Sequence, residues 1–177
     1  NEQSSQMKNC FVVLAFLILV GCSSSPVIEN VKTPGNWRIA TQEDAINDWA
    51  RFNSPNKIVD DFNADGQLDV AQILLKEDSS KGFNLVVDVS DGTQRKQFSL
   101  ESSEELSAQN FAIELLKPSE EVWESACAKG YWDCEPNEIR QFKITKPSIQ
   151  FCYIESACTI YLWSDRNKEF SKIPLSD

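Results

Sequence analysis

The sequence predicts a mostly β domain: an antiparallel sheet, sandwich or small barrel of about eight or nine strands with one N-terminal helix. Three observations carry this expectation. Short apolar runs alternate with polar residues at the strand period of two along most of the chain. Turn signals such as Asp91-Gly92 separate these runs at short intervals. Only one stretch, Trp37 to Phe52 (WRIATQEDAINDWARF), has apolar residues at helical spacing.

In that stretch Ile39, Ala45, Ile46, Trp49 and Phe52 are the apolar positions. Thr41 precedes the acidic pair Glu43 and Asp44, which suits an N-cap and the positive end of a helix. A helix is expected over about 41 to 51, stopped by Ser54-Pro55-Asn56. Lys57-Ile58-Val59 reads as a short strand, and the apolar run Leu68 to Leu75 as a central one. Phe83, Leu85, Val87 and Val89 mark the next strand by alternation, joined to the previous one by a polar hairpin loop from Lys76 to Gly82. Further strands are expected over Gln94–Leu100, Phe111–Leu116, Ile139–Ile144, Ser148–Ile154, Thr159–Trp163 and Phe170–Ile173. Glu101 to Glu105 fits either a loop or a helical turn.

The chain has 177 residues, a formal charge of −10 and no histidine. The acidic balance argues against a nucleic-acid partner. Without imidazole, Ser-His and Cys-His catalysis and His-zinc sites are excluded together. Glu101, Glu104, Glu105, Glu120, Glu121 and Glu124 could supply a carboxylate pair, but runs of this kind usually form solvated faces. Ser156 has no glycine-flanked elbow and no base. The expectation is therefore a protein that is not an enzyme.

The stretch DDFNADGQLD, residues 60 to 69, crowds oxygen-bearing side chains. With Asp61 as position 1, oxygens fall at 1, 3, 5 and 9: Asp61, Asn63, Asp65 and Asp69. Gly66 at position 6 permits a sharp turn, and Gln67 at position 7 can offer its main-chain carbonyl. Such hard-oxygen donors suit Ca²⁺ over zinc or copper. The expected role is structural, because the protein's own ligands would saturate the ion. An EF-hand is excluded, since Gln72 stands where that loop needs a bidentate Glu, and the following residues are β-like. Asp60 points away by alternation. The stretch resembles the DxNxDGxxD calcium loop of integrin-type FG-GAP repeats, where a strand follows the loop directly.

Four cysteines follow the first quarter of the chain: Cys127, Cys134, Cys152 and Cys158. Three pairings are possible; local geometry favours Cys127–Cys134 and Cys152–Cys158, each closing a short loop. Zinc is the competing reading, but no CxxC pair is present. The loop CAKGYWDC carries Tyr131 and Trp132, which fit equally a hot spot for a protein or glycan partner or a place in the β core, whereas Tyr161 and Trp163 read as core.

Residues 1–21 read as a signal peptide starting at Met7, with an apolar stretch from Cys10 to Val20 too short to span a bilayer as a helix. Leu19-Val20-Gly21-Cys22 resembles the bacterial lipobox. That resemblance implies lipidation of Cys22, with Ser23 directing the protein to the Gram-negative outer membrane, facing the periplasm. Residues 22–36 read as lipidated cysteine and flexible tether, and 37–177 as the calcium-stapled domain. The anchor, the calcium loop, KGYWDC and the C-terminal ESACTIYLWSDRNKEFSKIPLSD together resemble small bacterial envelope lipoproteins. Some of these are lysozyme inhibitors or toxin-immunity proteins. This implies a periplasmic protein partner, with a peptidoglycan hydrolase as one form and a structural envelope role without inhibition as the other.

Overall fold

The computed structural model describes residues 30–53 and 56–176. The signal segment, Cys22 and the tether as far as residue 29 lie outside the described residues.

The architecture is mostly β and antiparallel, as the periodicity predicts, but with eleven strands among the described residues. The first sheet contains β1 (Trp37–Arg38), β2 (Lys57–Asp60), β3 (Asp69–Lys76), β4 (Phe83–Asp91) and β5 (Gln94–Ser103). Its order is β1-β3-β4-β5, with β2 sharing the β1 edge of β3. The second sheet contains β6 (Phe111–Leu116), β9 (Ser148–Tyr153), β10 (Cys158–Ser164) and β11 (Glu169–Pro174), in the order β11-β10-β9-β6. A separate two-stranded ribbon pairs β7 (Val122–Glu124) with β8 (Gln141–Lys143). Neither sheet closes into a barrel, so a sandwich fits.

The alternation read in β4 is the alternation that builds the core. Phe83, Leu85, Val87 and Val89 face inward with Ala71, Ile73 and Leu75 of β3, meeting Phe111, Ile113, Ile149, Phe151 and Tyr161 of the second sheet. Phe111 and Phe151 stack at a centroid distance of 5.0 Å. The continuous apolar run in β3 has a second cause. Val70 and Leu74 face outward, yet both are fully buried, because Val31, Trp37 and Ile39 cover that face. A strand covered on both faces reads as unbroken hydrophobicity. Asn30 to Asn36 is therefore not a free tether: the Val31 N–H donates to Gln72 Oε1, and Gln97 Nε2 donates to the Lys32 carbonyl at 2.8 Å. On the outer face of the second sheet, Trp123 and Phe142 of the ribbon pack against Ile144, Ile160 and Leu175.

The expected 41–51 helix is shorter and interrupted. A 3-10 turn occupies Gln42–Asp44, and α1 spans Asn47–Phe52. The break falls at Ala45 and Ile46, whose backbone leaves the helical region, just after Asp44. Its carboxylate takes two hydrogen bonds from the Arg38 guanidinium, at 2.7 and 2.8 Å, and one from the Thr41 N–H. That fixes the first turn against β1, and the chain restarts at Asn47, which has φ of +54°. Only Trp49 is buried; Ile46 and Phe52 are exposed, so their helical spacing marked no second face. Trp49 Nε1 donates to the Phe111 carbonyl at 2.7 Å, which docks α1 on the second sheet.

Candidate functional site

The acidic loop leaves β2 at Asp60 and enters β3 at Asp69, and these two residues are cross-strand partners. Its curl comes from side chains gripping the loop's own backbone. Asp61 accepts from the Asp65 and Gly66 N–H groups at 3.0 and 2.7 Å, Asn63 Oδ1 from Asp65 N–H at 3.1 Å, and Asp65 Oδ1 from Gln67 N–H at 2.9 Å. Each oxygen keeps a second lone pair. Ala64 and Gly66 have φ of +61° and +87°, and Gly66 is where the turn needs a residue free to adopt that conformation. Phe62 is fully buried and anchors the loop, whereas Leu68 is exposed.

Asp69 behaves differently from its neighbours. It is fully buried, and its two oxygens accept the Phe62 and Ser90 N–H groups at 2.9 and 2.8 Å. Burial pushes its pKa up to about 6, against the downward pull of those two hydrogen bonds. Asp69 thus forms the floor of the loop and ties it to β4. Ser90 adds a second link, its hydroxyl donating to Asp65 Oδ2 at 2.6 Å, while Asn63 Nδ2 donates to the Ser90 carbonyl. Gln67 Nε2 reaches the Gly92 carbonyl at 2.9 Å. Ser90 carried no local signal; it lies 25 residues from Asp65, and only strand pairing brings it there. Asp60 accepts from Asp61 N–H and pairs with Lys117, a supporting place at the surface.

The five expected ligands, Asp61, Asn63, Asp65, the Gln67 carbonyl and Asp69, are all hard-oxygen donors of the chemical kind Ca²⁺ prefers. The acids do not converge unaided. Among the described residues the group of acids and cysteines with ligand atoms all within 4.8 Å is Cys127, Cys134 and Glu138. Its sulfurs are joined in a disulfide and offer no thiolate.

Both favoured disulfides are present, Cys127–Cys134 and Cys152–Cys158. The second joins directly opposed residues of β9 and β10. The first closes the loop that carries Tyr131 and Trp132, which are 49 % and 37 % exposed. Internal bonds hold this loop firmly. Tyr131 N–H donates to the Ala126 carbonyl, Lys129 Nζ to the Leu175 carbonyl, and the Trp132 indole N–H to Glu138 at 3.1 Å. Val122 and Ile139, both exposed, lie in the adjoining segments. Tyr161 is buried as expected, and its hydroxyl donates to Glu101, part of β5 rather than of a loop or helical turn. Trp163 is partly buried against Phe98 and Phe170. Three of the other candidate acids have surface partners: Glu120 pairs with Lys143, Glu104 with Lys76, and Glu124 accepts from Gln141.

No family model matches the chain, and no curated protein or solved structure is detectably similar to it. Among the described residues no helix is long and apolar enough to cross a membrane.

Proposed function

We propose that this is an extracytoplasmic, lipid-anchored binding module without catalytic activity, whose working surface is the loop Cys127–Cys134. The observation that carries this reading is the pair of exposed rings on a covalently closed loop. Tyr131 and Trp132 stand out from a backbone held by its own hydrogen bonds, so little freedom is lost when a partner covers them. Large aromatic side chains of this kind dominate binding energy at protein interfaces.

Charge narrows the partner. The segment around the rings carries the acids Glu120, Glu121, Glu124, Asp133, Glu135 and Glu138 against the bases Lys129, Arg140 and Lys143. A segment that is acidic on balance and carries two exposed rings suits a protein with a basic face and speeds its encounter. A peptidoglycan hydrolase with a basic cleft is such a partner, and inhibition by filling that cleft is the functional form this predicts. Ca²⁺ held by Asp61, Asn63, Asp65, Asp69 and the Gln67 carbonyl stabilises the domain and takes no part in chemistry. The absence of histidine from the sequence supports a non-catalytic reading.

The test compares the full chain with its Tyr131→Ala/Trp132→Ala variant, both immobilised and exposed to periplasmic extract. Partners should be lost from the variant with a drop in affinity of at least about tenfold. Captured hydrolases are then assayed for inhibition by the free protein. Identical partners and affinities for both proteins would sink the assignment of this surface. Partners that depend on the two rings, but include no hydrolase, would leave a structural envelope role.

A further inference from the structure

We propose that the Cys127–Cys134 bridge is a redox switch, which a protein dithiol of the CxxC class opens to disable the surface formed by Tyr131 and Trp132. The inference rests on the reading of those two rings as the working surface, and adds its control. Cys152–Cys158 plays the opposite part, a structural bridge that the same reductant leaves closed.

The two bridges differ in what else holds their ends together. Cys152 and Cys158 are opposed in the register of β9 and β10, with Cα atoms 4.1 Å apart. The ladder continues through Phe151 with Thr159 and Gln150 with Ile160, and the Tyr153 N–H donates to the Ala157 carbonyl at 2.8 Å. Once reduced, these thiols stay face to face, and the bridge re-forms at high effective concentration. Around Cys127 the chain makes a separate turn. The Lys129 N–H donates to the Ser125 carbonyl, the Gly130 N–H to that of Cys127, and the Tyr131 N–H to that of Ala126. Cys134 belongs to the arm that follows, where the Trp132 indole N–H and the Glu135 N–H both donate to the Glu138 carboxylate. Among the described residues no hydrogen bond or ion pair joins residues 132–139 to residues 125–131. Besides the chain itself, the bridge is what ties arm to turn, so its loss lets Trp132 move relative to Tyr131.

The bridge is also open to attack. Both cysteines line a cleft of about 420 Å³ together with Gly130, Trp132 and Arg140. Cys127 is buried and Cys134 half-buried, so the attacking thiolate reaches Cys134 Sγ. The bond between the two sulfurs breaks, a mixed disulfide forms at Cys134, and Cys127 leaves as a thiolate that takes up a proton. Ser125 favours that departure: its hydroxyl lies 3.4 Å from Cys127 Sγ, where it donates to the developing charge. The second thiol of the reductant then displaces Cys134, which takes up the second proton. Two electrons and two protons have passed to the bridge, and the reductant holds the disulfide. The Glu138 carboxylate, within 4.8 Å of both sulfurs, repels a thiolate there. It slows opening and closing alike, and so affects the rate of the switch rather than its preferred state.

Dithiothreitol is the probe. The oxidised full chain is equilibrated with graded ratios of dithiothreitol to its oxidised form, quenched by alkylation and mapped by peptide mass. Cys127 and Cys134 should reach half-alkylation at a ratio at least about tenfold lower than Cys152 and Cys158. In the selectively reduced protein the Tyr131 amide should exchange at least about tenfold faster, while the Tyr153 amide stays protected. Partners that require the two rings should be held at least about tenfold more weakly by that protein, and re-oxidation should restore them. Simultaneous opening of the two bridges, earlier opening of Cys152–Cys158, or unchanged exchange at Tyr131 would overturn the switch. Undiminished capture of ring-dependent partners would overturn its regulatory use. The absence of any ring-dependent partner would instead overturn the working-surface reading, while the order of opening and the Tyr131 exchange still decide the switch.

Discussion

Asp44 and Asp69 put the same side chain to opposite electrostatic uses. Asp44 meets the Arg38 guanidinium with both oxygens and caps the Thr41 N–H, so hydrogen bonding to Arg38 holds its carboxyl far below the ordinary range. Asp69 meets only neutral N–H groups in a fully buried place, and burial raises it. The sequence made Asp44 legible as an acid of a first helical turn, because local pattern places it there. It could not display the Arg38 fork, which depends on how β1 approaches. Asp69 was legible as one oxygen in a series, but its inward turn follows from the pairing of β2 with β3 and β4. The depressed pKa of Asp44 fixes the sign of a pH effect. Its contribution is present above the unfolded-state pKa near 3.9 and is lost as pH falls through and below that value. Asp44→Asn should therefore destabilise the domain by about 1 kcal/mol at pH 7, since Arg38 is partly exposed and screened. Denaturant titration should find that gap shrinking as pH drops below about 4. A gap that stays constant with pH would contradict the role given to the carboxylate.

At the scale of elements, the strands were far more legible than the helix or the ribbon. Alternation located β4, and a double-faced apolar run located β3, because both patterns reflect burial directly. The two-residue β1 was hidden inside an apparent helical period. β7 was missed because its pairing with β8, across 17 residues, determines it more than its own three side chains do. The disulfides were legible from spacing, yet their structural settings differ. Cys152–Cys158 links opposed positions of strands already paired through a hydrogen-bonded register. Cys127–Cys134 closes a loop with no strand register of its own. Each bridge should contribute about 2–3 kcal/mol through the unfolded chain. Their local effects should separate. Cys127→Ala/Cys134→Ala should speed hydrogen exchange at the Tyr131 amide, which now donates to Ala126, and leave β9 and β10 protected. Cys152→Ala/Cys158→Ala should leave the Tyr131 amide protected. Equal exchange at Tyr131 in the two variants would show that the 127–134 loop is rigid without its bridge.

For the whole molecule, the decisive relation is between the acidic loop and the two sheets. The loop joins β2 to β3, its Asp69 and Ser90 bonds reach β4, and Lys146 connects the Asn63 carbonyl to the segment preceding β9. Loosening the loop therefore loosens a junction between sheets. The sequence supplied the oxygen spacing but not this junction, whose parts lie as many as 83 residues apart. Proton donors from the backbone and Ser90 offset part of the crowding among Asp61, Asp65 and Asp69; a cation would offset more, in a chain already at −10. For a site of about 10⁻⁴–10⁻³ M affinity, a few millimolar Ca²⁺ stabilises the folded state by about 1–2 kcal/mol, or several degrees in Tm. Chelation should lower the Tm of the unmutated protein by that amount, and added Mg²⁺ should recover little of it, because Mg²⁺ resists dehydration and tolerates fewer geometries. Asp65→Asn keeps an oxygen for Ser90 or Gln67 while removing a charge, so its Tm should change little on chelation. The comparison separates an ion effect from simple damage to the loop. An equal chelator response in both proteins, or none in the unmutated one, would leave the hydrogen bonds alone to hold the junction and remove calcium from the account.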